Sequence, residues 1–233
     1  MNESKSASKR LDIYSFEMII ALALITLHDF LLSNFVSLPV ALHRSTLVVL
    51  SSTDKVATSL EYLVPIVSFI VLLILWLTRR NVWERHVAMI YLGWVTLRMV
   101  LKIGLVIFIV SSRPQIGVGV LLKDTLVLWV VNLVLFGVWY WIIDGGGPRA
   151  RRDGLTKRYD FAFPQQALPM TGWEGWHVGF WDYVFLGFSS NTQFGLGDTQ
   201  VLSARAKFLL MLQITMSMAV IVFMASIAIT LLR

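Results

Sequence analysis

Long apolar runs dominate this chain, each closed by a polar or helix-breaking cluster. A bilayer core about 30 Å thick takes about 20 apolar residues per helix, and five segments meet that length. The first runs from Leu11 to Leu38 and is closed by Pro39; the second runs from Leu60 to Leu77 and stops at Thr78-Arg79-Arg80. The third covers His86 to Val110, before Ser111-Ser112-Arg113-Pro114. The fourth, Val118 to Ile143, ends at Asp144-Gly145-Gly146-Gly147-Pro148, a glycine and proline breaker. The fifth runs from Ala204 to Leu232. The first segment is too long, and too poor in small residues near its end, for a cleaved signal peptide, so it is expected to remain in the mature protein. Two polar connections lie between spans: residues 39–59, where VALHRSTLVVL suits a short surface helix, and residues 144–178, rich in glycine, proline and arginine.

Composition agrees with that pattern. Of 233 residues, 57% are hydrophobic and 15% charged, and mean hydropathy is +0.72. A soluble domain is nearer half apolar and a quarter charged, so composition argues against a water-soluble enzyme and against a disordered chain. Cysteine is absent, which removes disulfides, thiolate metal sites and a cysteine nucleophile. The formal charge of +6 fits basic loops facing anionic headgroups, not nucleic acid. His86, His177 and Glu174 are too scattered for a metal site. With no phosphate loop and no nucleophile beside an evident base, the chain reads as no enzyme, with no organic cofactor.

Residues 180–200, FWDYVFLGFSSNTQFGLGDTQ, fit none of the spans. The apolar part, Phe180 to Phe188, is about 13 Å long as a helix and cannot cross. It turns polar at Ser189-Ser190-Asn191-Thr192-Gln193 and is then glycine-spaced. Backbone that is not helical is tolerated at membrane depth only where protein buries it or it lines a watery cavity. A half-length helix, a Gly-x-Gly stretch and a full span are the parts of a re-entrant pore loop. The helix points its partial negative charge at the bilayer centre. Gly195 and Gly197 let successive carbonyls turn the same way, where they can replace the hydration shell of a potassium ion.

Thr192-Gln193-Phe194-Gly195-Leu196-Gly197-Asp198 resembles the filter of the potassium-channel pore-loop family, whose usual pattern is T-T-V-G-Y-G-D. The match holds at Thr192, Gly195, Gly197 and Asp198, and the following Val201 to Lys207 and its long apolar helix resemble the start of that family's inner helix. The likeness covers about Phe180 to Leu232. The rest of the chain, with its GGGP and FxFPQ elements leading to Trp181-Asp182-Tyr183, resembles uncharacterised bacterial membrane proteins.

The resemblance implies an all-α integral membrane protein with five transmembrane helices plus a re-entrant pore helix and filter-like loop. One filter strand cannot ring an ion, so a cyclic homo-oligomer is needed, and the family implies a homotetramer around a central pore. Residues 1–110 would form a peripheral domain of three helices. Residues 118–233 would form the pore domain: outer helix 118–143, loop 144–178, pore helix 180–190, filter 192–198, inner helix 204–232. The implied function is passive transport of potassium or weakly selective monovalent cations, with K+ at the carbonyls of Thr192, Gln193, Phe194, Gly195 and Leu196, and Gly197 closing the filter. Asp198, Trp181 and Tyr183 would support the filter, and Ser217 would line the pore on the inner helix. Membrane lipids and further copies of the chain are the expected partners, and the bacterial inner membrane the expected location. The departures are Gln193 in place of threonine, Phe194 in place of valine, and an inner helix without glycine. They keep open a non-conducting or transporter-associated subunit with a degenerate filter.

Other polar residues read as structural. His28 and Asp29 would pair internally within the first span. Arg98 and Lys102 share a helical face, and bridging to Asp29 or Asp124 suits them better than voltage sensing. Trp181, Tyr183, Phe185 and Phe188 are read as one aromatic face, and Ser189, Ser190 and Asn191 as facing protein or water. Thirteen basic residues fall on the side from which the loop enters, against five on the other. The positive-inside rule makes that side cytoplasmic, opposite to the usual orientation in the family.

Overall fold

The computed structural model describes residues 67, 70, 81–112, 118–167, 171–172, 174–192 and 197–231. They are mostly helical, in the order α1 (Asn81–Ser112), α2 (Val118–Ile143), a 3-10 turn (Asp144–Gly146), α3 (Pro148–Arg152), β1 (Phe161–Ala162), α4 (Pro164–Ala167), α5 (Phe180–Thr192), β2 (Gln200–Val201) and α6 (Ala204–Leu231). Among the described residues, three helices are long and apolar enough to cross a membrane, with spans Arg85–Gly104, Leu121–Gly146 and Ala204–Ile229. The third, fourth and fifth predicted spans therefore fall on α1, α2 and α6. The first lies outside the described residues, as do His28 and Asp29; of the second, only Val67 and Ile70 are described, both helical.

Packing sets the roles of the three long helices. Within the candidate span, 61% of α2 is buried but only 22% of α6. Accordingly, α2 is the central post, and much of α6 faces outward. Trp139 Nε1 on α2 donates to Thr96 Oγ1 on α1 at 2.9 Å, tying the two together. Arg98 and Asp124 are both buried, and Lys123 Nζ lies 3.5 Å from the Asp124 carboxylate.

The short helix α5 packs chiefly on α2 and next on α6. Its crossing with α2 is close because two glycines meet there. A Cβ on Gly187 would lie 2.9 Å from Leu133 O, and one on Gly137 would lie 3.1 Å from Val184 Cα. Small residues that let backbones approach are the usual means of packing helices in lipid.

Local chemistry explains where the helices begin and end. The 3-10 turn after α2 needs its glycines, since Gly145, Gly146 and Gly147 have φ of 59°, 92° and 101°, values that side chains with a Cβ disfavour. Pro148 then starts α3, where its missing N–H costs nothing. At the start of α5 the Asp182 carboxylate reaches back to Gly179 N–H at 2.7 Å, half of a capping box. Ser203 caps α6 by accepting Ala206 N–H at 3.2 Å.

The structure adds one feature to the expected all-α architecture. β1 and β2 form an antiparallel ladder with Phe161 opposite Val201 and Ala162 opposite Gln200. It is two residues long, and it joins the 144–178 connection to the segment that leads into α6.

Candidate pore-loop site

Helix α5 has 13 residues and is about 20 Å long at 1.5 Å per residue. Its N-terminus lies beside the C-terminal end of α2: the Trp141 and Phe180 rings are 5.6 Å apart, edge to face. Its other end meets the middle of α2, where Asn191 Nδ2 donates to Trp129 O at 3.1 Å. From there the chain returns to Gln200, which pairs with Ala162 beside the starting level. The segment enters and leaves on one side of the bundle, with the C-terminal end of α5 midway along α2 and α6.

The mouth of this loop is closed by charged groups. The Asp144 carboxylate, fully buried, accepts Asp160 N–H at 2.6 Å, Phe161 N–H at 3.2 Å and the Tyr183 hydroxyl at 2.5 Å. Asp160, 2% exposed, receives Arg205 through two nitrogens, Nε to Oδ1 at 2.7 Å and Nη2 to Oδ2 at 2.5 Å. Ser203 Oγ and Gly145 N–H complete its shell at 2.5 and 3.2 Å. Burial works to raise the Asp160 carboxyl's pKa, but hydrogen bonds from Arg205 and Ser203, with the guanidinium charge, hold it below the usual carboxylate range. Arg151 Nη1 donates to Trp141 O and Asp144 O at 3.0 and 2.5 Å, and its guanidinium lies 5.0 Å over the Tyr183 ring. Beneath the clasp, Phe163 meets Tyr183 edge to face at 5.4 Å and Phe161 meets Tyr140 at 5.1 Å.

The tip is held differently, by neutral groups. Asn132 Nδ2 on α2 donates to Asn191 Oδ1 at 2.9 Å and to Ser217 Oγ at 2.8 Å. The Ser217 hydroxyl also donates to Asn191 Oδ1. One turn nearer the mouth, Tyr140 OH donates to Gln213 Oε1 at 2.5 Å, and Gln213 Nε2 donates to Gly187 O at 2.8 Å. All of these side chains are fully buried.

Thr192 ends α5, half-buried, with its hydroxyl donated back to Phe188 O at 2.9 Å. Gln193, Phe194, Gly195 and Leu196 lie outside the described residues. Gly197, with φ of 59°, and Asp198 form an exposed turn. Ser189, Ser190 and Asn191 face protein, as expected from their polarity. The four aromatic residues do not share a face: Trp181, Phe185 and Phe188 are exposed on one side, while Tyr183 is fully buried in the clasp. Successive helix positions turn by about 100°, so Tyr183 lies about 200° from Trp181. Ser217 is turned into the polar knot and away from the exposed face of α6. Sequence reading missed Asn132, Gln213, Asp144 and Asp160 as partners of the loop. The signal for the first two was polarity inside apolar spans, where a side-chain amide needs a protein partner.

Among the described residues no group of three or more His, Cys, Asp or Glu side chains is placed to hold a metal ion. Comparison of the chain with protein-family models, with curated proteins and with solved structures finds no match.

Proposed function

We propose that this chain is one subunit of a passive pore for potassium or weakly selective monovalent cations, assembled from four copies of five spans each around a central axis. The observation that carries the reading is the depth of α5, a half-length helix whose C-terminal end meets the middle of two full-length spans. Its last carbonyls present partial negative charge at mid-depth, where a permeating cation has lost most of its water. The chain from Thr192, the last residue of α5, to Gly197 carries the two glycines that a row of ion-facing carbonyls requires. In this scheme Asp198 braces the return of the loop, α2 is the outer helix and α6 the inner one. The host would be a bacterial inner membrane.

Purified protein in liposomes under a potassium gradient tests the reading. Wild type carries flux, and Gly195→Asp abolishes it by placing a side chain and a charge in the filter. Equal behaviour of the two overturns the proposal. Gln193 and Phe194, where the resembled pattern has threonine and valine, favour one alternative: a non-conducting subunit that keeps the loop without a continuous ion path. A monomer or dimer in detergent supports the alternative; a tetramer supports the pore.

A further inference from the structure

The neutral knot at the tip of α5 has features that ordinary helix packing does not require. Asn132, Asn191 and Ser217 come from three helices and lie 26 to 85 residues apart in the chain, yet all three are fully buried and mutually bonded. The contacts with α6 are in register. Gln213 and Ser217, one turn apart on α6, grip Gly187 and Asn191, one turn apart on α5. Asn191 also immediately precedes Thr192, the last residue of α5. Because the Thr192 hydroxyl is donated back into its own helix, it does not tie that residue to a neighbouring helix. Its place is set by the end of α5, and that end is set by Asn191. The knot has little slack: Asn132 Oδ1 is buried and receives no donor, so losing another bond adds to an existing deficit.

We propose that Asn132, Asn191 and Ser217 are positioning residues for the ion path. They hold the C-terminal end of α5, and with it Thr192, at the depth and rotation from which its carbonyl meets the ion. Discrimination between cations then depends on three side chains that touch no ion. The inference rests on the conducting reading above. It adds to it that displacement of α6 at Ser217 is passed directly to the inner end of the loop.

The test pairs two measurements on Ser217→Ala, Ser217→Thr and wild type. One is the potassium-over-sodium flux ratio in liposomes. The other is amide hydrogen exchange, comparing Ser189–Thr192 at the tip with Asp160 and Phe161 at the mouth. Ser217→Ala is expected to change the flux ratio about fivefold, the equivalent of one hydrogen bond. Exchange at the tip should quicken by a similar factor while the mouth is unchanged, and Ser217→Thr, which keeps the hydroxyl, should restore both. An unchanged ratio in Ser217→Ala overturns the proposal, as does exchange that quickens equally at both places, which reports general loosening. If wild type carries no ion, the conducting reading falls. Quickening confined to the tip then still supports the positioning of α5, and its absence overturns that too.

Discussion

The two ends of α5 are fastened by opposite chemistry. At the mouth, Asp144, Asp160, Arg151 and Arg205 form charged hydrogen bonds with one another and with backbone. At the tip, two asparagines, a serine, a glutamine and a tyrosine hydroxyl do the work without a charge. Depth explains the division. A charge at the bilayer centre is expensive, whereas near the headgroups water and snorkelling side chains reduce the cost. Arg205 illustrates this, its side chain half exposed while its partner Asp160 is buried. The comparison also separates two tasks: a charged clasp resists large displacement, and neutral bonds set fine position.

The sharpest way to break this division is Arg205→Leu. It leaves the Asp160 carboxylate buried with only the Ser203 hydroxyl and Gly145 N–H as donors. Breaking one partner of a buried pair costs about 3 to 5 kcal/mol, and the exposure of Arg205 places the expected loss near the lower figure. Thermal unfolding in detergent reads it, and Arg205→Lys should recover only part, since an ammonium lacks the two-pronged geometry. A loss no larger than that of a tip variant would remove the distinction between the ends.

Acid should attack the same end more gently. The folded Asp160 pKa lies below its ordinary value, which is about 3.9 in an unfolded chain. Its contribution is therefore fully present above pH of about 4 and declines as pH falls through the lower, folded value. The loss is smaller than in Arg205→Leu because a protonated carboxyl keeps part of its hydrogen bonding. Unfolding midpoints measured down the acid range should fall for wild type and stay flatter for Asp160→Asn.

Much of the fold was legible because lipid imposes simple rules on sequence. Residues 118–143 and the start of the last span at Ala204 agree with the observed helix bounds, the former because a long, mostly apolar run met a breaker at Asp144-Gly145. The end of α5 was less so. Asn191 and Thr192 look like loop by polarity, and they are helical because α2 and the preceding turn satisfy their polar groups. The clasp was visible only in fragments. DGGGP, DFAFP, Trp-Asp-Tyr and SARAK each stand out in the chain, but no local pattern says that Asp160 meets Arg205 or that Asp144 meets Tyr183. Those pairings are tertiary, made when α5 folds back along α2. Counting aromatics without their helical phase puts Tyr183 on one face with Trp181, Phe185 and Phe188, whereas the turn of the helix carries it to the buried side.

The smallest expected effect is the most informative about the neutral end. Tyr140→Phe removes one hydroxyl and leaves ring packing against Phe161 intact. Gln213 Oε1 then loses a donor in a buried setting, while its Nε2 still holds Gly187 O. Side-chain hydrogen bonds between membrane helices couple by about 0.6 kcal/mol on average and reach about 1.7, and the burial and short contact here argue for the upper half of that range. A double-mutant cycle with Gln213→Met isolates the term, because each single change removes the same bond from opposite sides. Coupling near zero would mean that neutral groups at this depth are satisfied whether or not they meet. The rigidity of α5 would then rest on the charged clasp and the Gly137–Gly187 crossing alone. Coupling near 1 kcal/mol would show that the neutral end sets position at a cost the fold recovers, even though every group in it is one that lipid disfavours.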